Sequence, residues 1–242
     1  MSEYTELVPK PMIEIGQKPI LWHIMRMYSH FGYKDFCVAL GYKAEIIKKY
    51  FLDYHLNNVD FSIDLSSGKT ETLKQFSENW NINLIDTGLN TMTGGRLKRL
   101  KEYIDPDQPF LMTYGDGVSN VDINKLVEFH KSHQKLVTMT AVRPPARFGE
   151  LDLKNGKVNS FIEKPQLDQG WINGGFFVIE PKFLEYIEGD EIMLEREPLE
   201  KATEEGELMA FEHEGFWQCM DTKRDYQFLE KLWSNDEAPW KK

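Results

Sequence analysis

The sequence predicts an α/β sandwich on a mixed, mostly parallel sheet, and three observations carry that expectation. Apolar runs of strand length alternate with helically spaced apolar residues through the first half. The second half adds strands bounded by turns, among them Asn155-Gly156, the strongest short hairpin signal in the chain. A length of 242 residues, 41% apolar and 28% charged, suffices to bury one large core.

Each element follows in order. Pro9 and Pro11 flank Lys10, and because proline fixes φ and removes a donor, "PKP" is a stiff extended segment that aims one ammonium group. Ile20, Leu21, Ile24, Met27, Tyr28 and Phe31 then fall at helical spacing, with Gly32 as the stop. "KDFCVALG" reads as a buried strand and "YKAEIIKKYFLDYH" as a second amphipathic helix. The polar stretch 56–80 predicts a hairpin excursion over the main sheet. "INLIDTG" is a strand, "GGRLKRLKEYI" a helix, "PFLMTYGDG" a strand ending in a turn, "INKLVEFHKSH" a helix and "KLVTMTAV" a strand. "ELDLKNGKVNSFIEKP" alternates around its hairpin signal, "GGFFVIEP" and "LMAFEHEGFWQCMD" add strands, and "KRDYQFLEKLW" closes with a helix. With no repeat, low-complexity tract or linker, residues 1–242 form a single domain.

Composition narrows the function. A net charge of −10 and a pI near 5.2 disfavour nucleic acid or an anionic membrane as partner. Cys37 and Cys219 sit inside apolar stretches, without a disulfide framework or zinc-site spacing. No apolar run spans a bilayer and no signal peptide is evident, so a cytoplasmic location is expected.

Ligands in open α/β sheets gather at the carboxyl ends of strands, and three stretches fall there. Asp116 follows an apolar strand between Gly115 and Gly117, as a phosphate or metal site or as a plain Asp-Gly turn. Asp221 ends another strand, as a ligand or as the N-cap of the last helix. Two strand-end aspartates far apart in sequence point to a shared Mg²⁺, whose hard oxygen ligands are one or two carboxylates plus substrate phosphates. Third, Gly94 and Gly95 in "TMTGGRLKRL" precede a helix whose free first-turn N–H groups suit an anion or a base. Glu163 and Lys164 in "FIEKP" lead into "GWINGGFF", where Trp171, Asn173 and Gly174 are placed to line a sugar pocket. His130 and His133 read as a surface helix, the Glu-rich run 185–207 as two solvated helix faces, and Trp240 as an exposed tryptophan.

Taken together, "VPKPMIEIGQKPILWHIM", "DTGLNTMTGGRLKRLK", "TYGDGV", "AVRPPARFGEL", "FIEKP", "WINGGFFVIEP" and "EGFWQCMDT" closely resemble the glucose-1-phosphate cytidylyltransferases, within the sugar-phosphate nucleotidyltransferases. The likeness runs in order from about Ser2 to Lys241. It implies a Rossmann-like three-layer fold and the reaction of CTP with α-D-glucose 1-phosphate to CDP-glucose and pyrophosphate, a step toward deoxysugars of lipopolysaccharide. It implies Lys10 and Arg96 at the nucleotide phosphates, Met92, Thr93, Gly94 and Gly95 at the base, and Asp116 and Asp221 as the magnesium pair. Gly149, Glu163, Lys164, Trp171, Asn173 and Gly174 fall on its sugar-phosphate pocket, all but Gly149 within a sugar-binding half that, with the C-terminal helix, spans 150–242. A cytoplasmic homo-oligomer is also implied. Uracil or thymine as the base, and a non-catalytic sugar-nucleotide-binding or subunit-interaction role, stay open on sequence alone.

The family's pattern also includes a first strand and a G-G-x-G-T-R-L segment directly ahead of "SEYTE", where Met1 stands here. Backbone donors of such a loop are worth roughly 10²–10³ in rate each. The expectation is therefore that residues 1–242 alone form no CDP-glucose, and that the strand and loop restore it.

Overall fold

The computed structural model describes residues 8–75, 78–144, 150–154, 157–162 and 170–241. After a 3-10 turn at Lys10–Met12, β1 (Glu14–Ile15) and β2 (Lys18–Pro19) make a short antiparallel hook. Gly16 turns it with φ of +62°, a conformation that costs glycine little, while its backbone N–H donates to Glu230. Next come α1 (Ile20–His30), β3 (Asp35–Leu40), α2 (Ala44–Asn57), the hairpin β4 (Val59–Asp64) and β5 (Lys69–Gln75), and β6 (Asn81–Asp86). The chain continues through α3 (Thr93–Arg99), β7 (Phe110–Thr113), β8 (Gly117–Ser119), α4 (Ile123–His133) and β9 (Val137–Val142). The hairpin β10 (Glu150–Lys154) and β11 (Lys157–Ile162) leads to β12 (Ile172–Ile179) and a 3-10 turn at Pro181–Tyr186. The end of the chain holds α5 (Glu197–Glu204), β13 (Leu208–His213), β14 (Trp217–Cys219) and α6 (Lys223–Ser234).

The largest sheet has the order β13-β9-β12-β7. β13 runs parallel to β9, and β12 is antiparallel to both β9 and β7, so three of its four strands point one way. β3 and β6 form a separate parallel pair, and β8 pairs antiparallel with β14. Neighbouring residues of β12 feed opposite cores, as pleating requires. Phe176 and Val178 pack with Ile20, Ile24, Leu126, Leu229 and Trp240, from α1, α4, α6 and the carboxyl end. Phe177 and Ile179 pack with Phe183, Leu184, Leu199 and Ala202 on the other face. Helical material on both sides of a sheet makes the expected three layers.

Several sequence expectations change. The hairpin β4–β5 does not lie over the sheet, because residues 60–74 are exposed throughout. Thr72 and Thr70 stand opposite Phe61 and Ile63, and both faces of the hairpin stay exposed. β3 is half-buried, with Leu40 its one fully buried residue. His130 is not on a solvated face but 1% exposed, with Nδ1 2.8 Å from Thr138 Oγ1 and Nε2 3.2 Å from Glu180. Its helix packs that face on β9 and β12, where polar partners satisfy both ring nitrogens. Trp240 is also buried, at 1%, because the carboxyl end folds back over α1 and stacks its indole on Phe216 and Trp233. The run 185–207 yields part of a 3-10 turn and a single α-helix, α5. Asn155 and Gly156 lie outside the described residues, although β10 and β11 pair antiparallel as that signal predicts. Among the described residues no helix is long and apolar enough to cross a membrane.

Candidate active site

Lys10, Asp116 and Asp221 come from three distant parts of the chain and meet. The Lys10 ammonium donates to Asp116 Oδ2 at 2.7 Å and to Asp221 Oδ1 at 2.6 Å. Pro9 sits at the N-cap of the 3-10 turn, so Lys10 leaves it at a fixed angle. Pairing of β8 with β14 sets Gly117 opposite Cys219, and the Met220 N–H donates to the Asp116 carbonyl at 2.8 Å. Those bonds hold the two strand ends in register. Asp221 is not the cap of α6. Thr222 is, its hydroxyl accepting from the Asp225 N–H while the Asp225 carboxylate accepts from the Thr222 N–H at 2.8 Å. Asp221 therefore keeps its carboxylate for the site.

Burial opposes the Lys10 charge, but hydrogen bonds to the two carboxylates outweigh it, and its pKa lies above the ordinary lysine value. The side chains of Lys10 and Asp116 are 28% and 30% exposed and that of Asp221 50%, which leaves the cluster open to a ligand. Beside it lies a cavity of about 210 Å³ whose walls include Tyr114, Asp116, Asn173, Gly174, Trp217 and Asp221. Asn173 Oδ1 accepts from the Gly175 N–H at 2.8 Å, and the Gly174 carbonyl accepts from Trp217 Nε1 at 2.7 Å. Trp171 stands outside this wall, with the Arg143 guanidinium 4.3 Å from its ring centre. Gly149, Glu163 and Lys164 lie outside the described residues. Cys219, set aside in the sequence as an apolar-stretch residue, lines the cavity and donates its thiol to Asp221 at 3.0 Å. Burial first, then that hydrogen bond, pushes the thiol up to about 12.

The 92–95 segment differs from its sequence reading. Its first-turn N–H groups are not free: those of Gly94 and Gly95 donate to the Ile192 carbonyl at 3.0 and 3.2 Å, and that of Met92 to Asp190 at 2.8 Å. The glycines serve close approach of backbone to backbone. A Cβ on Gly94 would stand 2.8 Å from Ile192 O, and one on Gly95 2.6 Å from Asp190 O. The Met92 side chain is exposed. Arg96 engages Leu40 O, Thr87 Oγ1 and Leu89 O, at the carboxyl ends of β3 and β6 and in the loop after β6.

Glu195 is the residue that sequence reasoning missed. Its carboxylate accepts from the Tyr114 hydroxyl at 2.5 Å and from the Thr93 hydroxyl at 2.7 Å. A glutamate in an acidic run has no spacing that separates it from solvated neighbours, so the sequence held no signal for it. Burial, then the bond to Glu195, drives the Tyr114 phenol well above its ordinary range and keeps it a donor.

A profile of the nucleotidyl transferase family matches residues 2–227. Glucose-1-phosphate cytidylyltransferase of Salmonella typhimurium (strain LT2) is 52% identical over 241 residues, covering 100% of this chain and 94% of its own length. Its namesake from Salmonella typhi shares the same identity and coverage. Among solved structures, HddC from Yersinia pseudotuberculosis superposes with a TM-score of 0.68 at 25% identity, over 93% of this chain and 90% of that one. A second structure of HddC, complexed with GMP-PN, fits equally well.

Proposed function

We propose that this chain, which belongs to the nucleotidyl transferase family, transfers a cytidylyl group from CTP to α-D-glucose 1-phosphate, giving CDP-glucose and pyrophosphate. The observation that carries this reading is the convergence of Lys10, Asp116 and Asp221 beside a cavity of about 210 Å³. The 52% identity to a cytidylyltransferase favours CTP over UTP or dTTP. A sugar-phosphate oxygen attacks the α-phosphorus and pyrophosphate leaves, with no covalent protein intermediate, because positioning and charge suffice for such a displacement.

Each side chain has a physical task. Lys10 offers a positive charge to the phosphates. Arg96 supports the phosphate end: three of its hydrogen bonds hold the end of β3 and the loop after β6, and its remaining N–H donors suit a phosphate. Met92, Thr93, Gly94 and Gly95 shape the base site through the position of their backbone. Asn173 and Gly174, on the cavity wall, with Gly149, Glu163 and Lys164, take the sugar phosphate, while Trp171 stands outside that wall against Arg143.

The residues fit Mg²⁺, since both carboxylates reach one cation, the Lys10 ammonium, with hard oxygen donors. Among the described residues no third such ligand joins them, which suits an ion completed by water and phosphate. When bound between Asp116 and Asp221, Mg²⁺ supplies neutralisation of the charge that develops on phosphate oxygens.

We further propose that the protein works in the cytoplasm as a homo-oligomer. Two free cysteines support the first. The exposed Phe61, Ile63, Leu65 and Leu73 on an otherwise isolated hairpin support the second. Sedimentation showing only monomer would count against it.

Pyrophosphate release from CTP, UTP and dTTP with glucose 1-phosphate tests the main reading, using the chain with the family's strand and glycine-rich loop placed ahead of residue 1. CTP alone should support turnover. Equal rates with UTP would remove the base assignment, and no release with any nucleotide would remove the reaction.

A further inference from the structure

The segment from Ile187 to Glu195 straps α3 to the rest of the site. Lys98 donates to the carbonyls of Ile187 and Glu188, and Arg99 makes a two-point ion pair with Asp190 at 2.8 and 2.6 Å. The backbone of Asp190 and Ile192 then accepts from Met92, Gly94 and Gly95. At the far end the Leu194 N–H donates to Thr93 Oγ1 at 2.9 Å, while that hydroxyl donates onward to Glu195.

Glu195 is where this strap reaches Tyr114, which lines the cavity. One carboxylate oxygen takes Thr93, in the 92–95 segment, and the other takes Tyr114, two residues before Asp116. Both are charge-assisted O–H···O⁻ bonds, the strong and short kind. The Tyr114 ring is fixed on its other sides as well. It packs edge-on against Phe177 at 6.0 Å, and it covers Gly175, where an added Cβ would stand 2.7 Å from the ring.

We propose that Glu195 is a positioning residue that sets the distance between the nucleotide end and the sugar-phosphate end of the site. It acts through Thr93 and Tyr114 and touches neither substrate. This deepens the cytidylyl-transfer reading and rests on it. The in-line displacement needs the α-phosphorus and the sugar phosphate in one register, and a shift of an ångström there is costly. Thr93 and Tyr114 are joined in the structure through this carboxylate, so losing either should loosen the same linkage.

The test compares Glu195→Ala, Glu195→Gln, Thr93→Val, Tyr114→Phe and the double variant Thr93→Val/Tyr114→Phe in the chain that carries the family's loop. Steady-state kinetics with each substrate is paired with amide hydrogen exchange over 92–95 and 113–116. Glu195→Ala should lower kcat by about tenfold or more, as expected for loss of a coupled network, and speed exchange in both segments. Glu195→Gln, which keeps the side-chain length but only one acceptor oxygen for the two hydroxyl donors, should recover only part of that loss. In the double variant the two losses should fall well short of multiplying, because both break one bridge.

A merely structural glutamate would lower the melting temperature, leave the two losses multiplicative and give no recovery with glutamine. That result overturns the proposal, as does faster exchange in only one segment after Glu195→Ala. If the parent chain carrying the family's loop makes no CDP-glucose, the transfer reading fails, and exchange alone then decides the bridge: both segments together support it, one or neither overturns it.

Discussion

At the carboxylate end of the site, side-chain charge does the holding: one ammonium lies 2.7 and 2.6 Å from two carboxylates delivered by separate strands. At the 92–95 end, main chain holds main chain, with three N–H groups on the carbonyls of Asp190 and Ile192 and two glycines that permit the approach. The first arrangement tolerates small movements, because Coulomb attraction falls slowly with distance and the groups are partly solvated. The second does not, because a hydrogen bond weakens steeply once its geometry is lost. The charged end is thus the adjustable one and the backbone end the fixed gauge against which substrate is set.

The largest expected effect breaks the charged end. Asp116→Asn keeps the size and the turn but removes a carboxylate that holds Lys10 and, in the proposed reading, would hold Mg²⁺. In the chain that carries the family's strand and loop, turnover of CTP with glucose 1-phosphate should fall by roughly 10²–10³, the scale for one preorganised electrostatic group. Activity within tenfold of the unaltered protein would remove the metal role from this residue.

Acid sharpens the comparison by limiting how far the carboxylates can be titrated before the body gives way. His23 is 2% exposed, its Nε2 2.9 Å from the Ile15 carbonyl and its Nδ1 3.4 Å from Trp240 Nε1. The neutral ring satisfies both by donating from Nε2 and accepting at Nδ1, whereas a second proton would set donor against donor. Desolvation by burial lowers its pKa from 6.5 to about 4, so the unfolded chain binds more protons between those values. Stability from the neutral ring is therefore complete above about 6.5 and is lost as pH falls toward 4, by about 3 kcal/mol in all. The melting temperature should drop across that window. In His23→Gln the drop should shrink, and an unchanged slope there would assign it to other groups.

Gly95→Ala tests the backbone end. The new Cβ would lie 2.5 Å from Asp190 Cα and 2.6 Å from its oxygen, so the strap must move. Overpacking of this kind costs about 1–3 kcal/mol. The apparent KM for CTP should rise more than that for glucose 1-phosphate, and equal rises would mean the two ends are not separately built.

What the sequence disclosed follows the same division. Lys10, Asp116 and Asp221 were singled out because "PKP" and two strand-end aspartates are side-chain signals, although a plain turn and a helix cap competed for the aspartates. The structure brings the three side chains together. The strands and helices were legible from periodicity, and the split of Phe176 and Phe177 between two cores is what the pleat of β12 adds. Hidden were the acceptors: a carbonyl at Ile192 has no letter of its own, so the N–H groups of Gly94 and Gly95 looked free. His130 and Trp240 misled for a related reason, since burial of a polar or terminal residue depends on which partners arrive from elsewhere, here Thr138, Glu180, Phe216 and Trp233.

The smallest predicted effect has the least obvious sign. Lys10 already stands where the two carboxylates converge, so in the absence of nucleotide the ammonium and a divalent cation compete for the same oxygens. Lys10→Ala removes two partly exposed ion pairs, each worth about 0.2–1 kcal/mol, that the cation must otherwise break. Mn²⁺, followed by electron paramagnetic resonance without substrate, should therefore bind Lys10→Ala about twofold to thirtyfold more tightly than the unaltered protein. Turnover should move the other way, since the positive charge beside the phosphates is gone. Adding Asp116→Asn to Lys10→Ala should abolish the gain, which separates a real site from general loss of positive charge. Weaker Mn²⁺ binding by Lys10→Ala would show that the ammonium assembles the two carboxylates, and the charged end would then be no more adjustable than the backbone end.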